Sequence, residues 1–118
     1  MTTNPVLDHI ALTTPDLEGL VDRLSAAFGM VVEMRSDHFA IVADPGSGLT
    51  LELSRSADAG VHFRHLGFRT EDVDGAHALL EDAGMQVSAA PHRRDFARMR
   101  TSFLKQADGF EVQLVKYD

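Results

Sequence analysis

Residues 6–13 alternate, with Val6, Asp8, Ile10 and Leu12 on one side and Leu7, His9, Ala11 and Thr13 on the other. A period of two predicts a strand, and Asp8 interrupts its apolar side. Thr14-Pro15-Asp16 then opens a helix, with Thr14 read as the N-cap and proline in the first turn. Leu17, Leu20, Val21, Leu24 and Phe28 keep helical spacing until Gly29 stops the run. Residues 31–34 and 39–43 predict a hairpin of short strands, and Asp44-Pro45-Gly46-Ser47-Gly48 is a strong turn signal. Leu49, Leu51 and Leu53 then alternate with Thr50, Glu52 and Ser54 in a final strand.

The same plan runs again. Residues 61–69 predict a strand, and Thr70 is read as the cap of a helix whose Val73, Ala76, Leu79 and Leu80 face inward before Gly84. Residues 86–92 and 98–105 predict a hairpin, and Asp108-Gly109 turns into a last strand at 110–117. The match extends to residues: His9, Thr14, Asp16 and Gly19 fall on His65, Thr70, Asp72 and Gly75 at one offset of 56. Gly29-Met30 lies over Gly84-Met85 after a slip of one, and residues 48–53 lie over 109–114. The chain is two copies of one βαβββ unit, about 6–54 and 61–117, each with a His near its start and a Glu or Gln near its end. If Leu51, Leu53, Val112 and Leu114 pack under the helices, Glu52 and Gln113 take the opposite, concave sheet face, with His9 and His65.

A repeat of roughly 55 residues is too small to bury a stable core alone, so residues 1–118 are read as one domain. The formal net charge of −7 argues against a nucleic-acid partner. No apolar run reaches the ~20 residues needed to span a membrane, and no basic-then-apolar leader opens the chain, so a cytoplasmic location is expected. There is no cysteine, which leaves only N and O ligands for any metal.

With these features the chain resembles the vicinal oxygen chelate superfamily, the group of glyoxalase I, methylmalonyl-CoA epimerase, extradiol dioxygenases, fosfomycin-resistance transferases and bleomycin-binding proteins. The resemblance rests on Leu7-Asp8-His9-Ile10-Ala11-Leu12, Leu51-Glu52-Leu53, His65-Leu66-Gly67-Phe68 before Glu71-Asp72-Val73, and Asp108-Gly109 before Val112-Gln113-Leu114. It implies an α+β fold in which two tandem βαβββ modules form a cup-shaped mixed sheet with helices on the outer face. It also implies one divalent metal (Zn, Ni, Co, Mn or Fe) held by His9, Glu52, His65 and Gln113. Imidazoles and carboxylates suit such ions. Glyoxalase-like members commonly carry Glu where Gln113 stands, so this ligand set has one negative charge fewer.

The resemblance implies proton abstraction next to a carbonyl, through an enediolate, with Glu52 as the catalytic base: a glyoxalase-like lyase or epimerase-like isomerase. A non-enzymatic protein that sequesters a drug or metabolite is the alternative, and an extradiol-type dioxygenase the third reading. The expected partners are a small molecule and a second copy of the chain in a homodimer, with no nucleic acid and no membrane. Arg93, Arg94, Arg98 and Arg100 place four of the eleven basic residues within eight positions, a candidate clamp for an anionic substrate. Glu111 shares strand parity with Gln113, about 7 Å away, and is a candidate second acid or base. His38, His62, His77 and His92 have no matching symmetry and are read as surface residues.

Overall fold

The computed structural model describes residues 5–118. They form an α+β fold whose contacts divide into two compact units, one of Asp8–Arg64 and one of His65–Asp118 with residues 5–7. The first unit carries β1 (Val6–Thr14), α1 (Leu17–Phe28), β2 (Val31–Arg35), β3 (Phe39–Ala43) and β4 (Thr50–Arg55). Its strand order is β2-β3-β4-β1, with β1 parallel to β4 and the other pairs antiparallel. The second carries β5 (His62–Arg69), α2 (Val73–Asp82), β6 (Gln86–Arg94), β7 (Met99–Lys105) and β8 (Glu111–Tyr117) in the order β5-β8-β7-β6. There β5 is parallel to β8, and a single 3₁₀ turn, Asp95–Ala97, joins β6 to β7. No helix among the described residues is long and apolar enough to cross a membrane.

Each unit buries one sheet face under its helix. Leu17 and Val21 of α1 pack with Ala40, Val42 and Leu53, and Leu12, Leu20 and Leu51 close the edges. Val73 of α2 packs with Leu104, Val112 and Leu114, beside Phe68, Ala76 and Leu80. Strand periodicity leaves every second residue on the far face. Ala11 and Glu52 face each other across β1 and β4 there, as Gly67 and Gln113 do across β5 and β8.

The helix starts differ from the expectation by two residues. Asp16 and Asp72 are the N-caps, their carboxylates accepting from the backbone N–H of Gly19 at 3.1 Å and Gly75 at 2.9 Å. Thr14 and Thr70 sit further back, each hydroxyl accepting from the N–H of the capping aspartate at 3.2 Å. Threonine and aspartate are both good cap residues, and the one adjoining the first helical residue takes the role. The recurring glycines follow from the caps, because a Cβ at Gly19 or Gly75 would lie 2.1 or 2.2 Å from the aspartate Oδ2.

Two α2 side chains also depart from the reading. Leu79, expected inward, is 72% exposed, whereas His77, expected at the surface, is 6% exposed. The buried stripe runs through Val73, Ala76, His77 and Leu80, at spacings of three and four, and Leu79 falls beside it. His77 Nδ1 meets Ser102 Oγ on β7 at 2.9 Å, which satisfies the buried imidazole.

Candidate metal centre

In the first unit, parallel pairing of β1 with β4 sets His9 opposite Thr50 and Ala11 opposite Glu52. The offset brings His9 Nε2 to 3.5 Å from Glu52 Oε2. His9 is 1% exposed, and its other nitrogen, Nδ1, lies 2.8 Å from Asp8 Oδ2. An ionised carboxylate only accepts, so Nδ1 carries a proton, and Nε2 is the nitrogen that faces Glu52, as a lone pair or as a second N–H. Two lone-pair atoms at this separation need a cation or a proton between them. Two ligands bound at ~2.1 Å on a tetrahedral ion stand about 3.4 Å apart, so the spacing fits. Burial pushes the Glu52 carboxyl above the ordinary range, His9 opposes that and Asp8 adds to it.

In the second unit, His65 on β5 and Gln113 on β8 are both buried. The His65 ring meets Phe103 edge-on, with centroids 5.5 Å apart and planes at 85°. Gln113 stands opposite Gly67 on one side and Phe103 on the other. The Thr101 hydroxyl donates to the Leu114 carbonyl at 2.7 Å and accepts from Gln113 Nε2 at 2.9 Å. That chain fixes the amide: nitrogen is the end tied to Thr101, so Oε1 is the end with which Gln113 can meet a cation. Each unit therefore presents one imidazole and one side-chain oxygen, donors of the kind that suit a divalent ion.

The four arginines separate by sheet face. Arg93 and Arg100 stand opposite each other across β6 and β7. Arg93 pairs bidentately with Asp118, at 2.7 and 2.5 Å, and with Asp95 at 2.9 Å. Arg100 grips Asp74 of α2 through two 2.7 Å bonds. Arg98 occupies a left-handed turn (φ 52°) and lies 3.8 Å from Asp118. Arg94 differs: its guanidinium sits 5.4 Å above the Phe103 ring, on the side of β7 that faces Gln113 across β8. Its Nε lies 3.3 Å from His92 Nε2. Glu111 is half-buried, opposite Lys105.

Sequence reasoning missed Asp8 and Thr101. Asp8 stood out only as a polar break in an apolar face, and adjacency to a candidate ligand was the signal. Thr101 had none.

Two βαβββ units, each with a buried His on its first strand and a Glu or Gln on its last, define the class. The chain belongs to the Glyoxalase/Bleomycin resistance protein/Dioxygenase superfamily, whose family model matches residues 6–114. Among solved structures it is similar to methylmalonyl-CoA epimerase from Mycobacterium tuberculosis, with 23% identity and a TM-score of 0.76 over 100% of this chain and 93% of that one. A Streptomyces coelicolor methylmalonyl-CoA epimerase variant, in complex with 2-nitronate-propionyl-CoA, is 25% identical with a TM-score of 0.72 over 98% and 99%. A hypothetical protein from Bacillus halodurans C-125 is 15% identical, with a TM-score of 0.76 over 98% and 96%. No curated protein matches the chain in sequence.

Proposed function

We propose that this protein is a metal-dependent, epimerase-like isomerase that moves the proton on the carbon next to the carbonyl of a 2-carboxyacyl thioester. In this reading His9, Glu52 and His65 hold the metal ion, and Gln113, whose amide nitrogen is tied to Thr101, offers Oε1 as a further donor. A divalent cation held by these residues would supply Lewis-acid polarisation of a carbonyl oxygen. Glu52 takes the proton. A carboxylate whose proton affinity is raised by burial is a better base at neutral pH than a solvated one. The electron pair left by the C–H bond spreads into the thioester carbonyl, and inversion needs a proton delivered from the other face. Glu111 is the candidate donor, on the Gln113 side of β8. Arg94 takes the substrate carboxylate, whereas Arg93 and Arg100 already hold carboxylates of the chain.

The observation that carries this reading is the His9–Glu52 pair: a buried imidazole whose Nδ1 proton is committed to Asp8 faces a half-buried carboxylate. The similarity to methylmalonyl-CoA epimerases supports the choice of substrate class. The test is proton NMR of methylmalonyl-CoA in D2O with the cobalt-loaded protein. Loss of the C2 proton signal, abolished by a chelator, is expected. Binding of the thioester without exchange would overturn the reading in favour of sequestration.

A further inference from the structure

We infer that His92 is a positioning residue for Arg94, holding its guanidinium so that the two terminal nitrogens are left for a ligand carboxylate. The inference rests on the role given to Arg94 above, and every contact it uses lies within the second unit. His92, expected at the surface, is half-buried. The pairing of β6 with β7 shifts register between Ala89 and His92, across Pro91, which has no N–H to give the ladder. Just there the Ala90 carbonyl lies 2.7 Å from His92 Nδ1. A carbonyl only accepts, so Nδ1 carries a proton. Arg94 Nε–H only donates, and it lies 3.3 Å from the other ring nitrogen, Nε2. The two neighbours together select one form of His92, neutral and protonated on Nδ1, with the Nε2 lone pair turned to Arg94.

Arg94 is thus held from two directions, by His92 at Nε and by the Phe103 ring 5.4 Å from the guanidinium carbon. Among the described residues no carboxylate reaches ion-pair distance of it, whereas Arg93 and Arg100 hold Asp118, Asp95 and Asp74. Strand alternation puts His92 and Arg94 on one side of β6 and Arg93 on the other. His92 stands opposite Thr101, the residue that orients Gln113, so the free edge of Arg94 belongs to that same side. With Nε occupied, a carboxylate is taken end-on by Nη1 and Nη2. Fixing a long side chain beforehand also reduces the ordering cost of binding.

The test compares methylmalonyl-CoA with propionyl-CoA, which lacks only the carboxylate, by isothermal titration of the full chain with and without cobalt(II). The native protein is expected to prefer the carboxylated thioester by about tenfold or more in both conditions. His92→Phe keeps a ring and removes the acceptor, and should reduce that preference by about three- to tenfold. His92→Gln, whose amide oxygen can accept from Arg94 Nε, should restore most of it. A preference that survives His92→Phe, or that His92→Gln fails to restore, overturns the inference and leaves the role of Arg94 standing. A preference seen only with cobalt assigns the carboxylate to the metal and overturns both, while the C2 proton exchange is read separately. No binding of either thioester overturns the functional reading and the inference with it. Should His92→Phe not fold, ¹⁵N NMR of the histidines in the native protein decides. The Nδ1–H tautomer of His92 is expected, and the Nε2–H tautomer overturns its role.

Discussion

The two units keep the same plan but differ under their helices. At the helix offset of 56, Leu20 corresponds to Ala76, Val21 to His77, Arg23 to Leu79 and Leu24 to Leu80. Leu20 fills the edge of the first core, whereas Ala76 puts a methyl where the first unit has an isobutyl group. Beside Ala76 the second unit has an apolar cavity of about 440 Å³, bounded by Leu66, Phe68, Leu80, Phe110 and Val112. Yet the caps are the same in both: aspartate, then glycine three residues on. Backbone geometry at a helix start tolerates few residue types, while a core accepts any apolar set that roughly fills its volume. The repeat has drifted where the physics is permissive and held where it is strict.

The strongest way to break this comparison is at the ligand positions. Glu52→Gln should lower turnover by about 10²- to 10⁴-fold while cobalt still binds through the amide oxygen. The double swap, Glu52→Gln with Gln113→Glu, keeps the composition and charge of the ligand set. It should remain equally inactive, because only position 52 faces His9 across 3.5 Å. Recovery of exchange in the swap would make the two units chemically interchangeable.

A smaller effect is expected under the helices. Leu20→Ala, which imposes the second unit's residue on the first, should cost about 2 kcal/mol in urea unfolding. Ala76→Leu, the reverse change, should add about 0.5–2 kcal/mol by filling apolar space. A loss on Ala76→Leu would mean that the cavity beside α2 cannot take a leucine without strain.

Much of this was legible in the chain. Strand alternation put Leu51, Leu53, Val112 and Leu114 under the helices, and so assigned Glu52 and Gln113 to the far face by parity alone. The repeat also carries the placement of two α2 side chains. His77 falls on Val21, which is fully buried, and Leu79 falls on the exposed Arg23, so the offset already implied where each would lie. What stayed hidden depends on partners distant in sequence. The basic cluster looked like an open anion clamp because Asp74 and Asp118, 26 and 25 residues away, gave no local sign of pairing with Arg100 and Arg93. Likewise the Thr101 contact that orients Gln113 spans 12 residues and two strands.

The smallest predicted effect concerns how each helix is tied to its sheet. Glu18 and Asp74 stand at equivalent positions in the first turns of α1 and α2. Glu18 meets Arg55 of β4, and Asp74 meets Arg100 of β7. Both carboxyls are held below their ordinary values, 4.5 for Glu18 and 3.8 for Asp74, but for different leading reasons. For Glu18 the largest contribution is a backbone N–H at the helix start, with Arg55 second; for Asp74 it is the Arg100 guanidinium. A carboxyl whose folded pKa is depressed contributes stability that is present above its unfolded value and lost as pH falls through the folded one. Asp74→Asn should therefore lower Tm slightly at neutral pH, and the difference should close as the pH drops below 3.8. Both groups are solvent-exposed, so high salt should shrink the effect. Arg100→Met should remove nearly all of the pH-dependent contribution of Asp74, whereas Arg55→Met should leave much of that of Glu18. Equal losses in the two arginine variants would mean that the helix N-terminus contributes nothing at Glu18, and that the two ties are one device used twice.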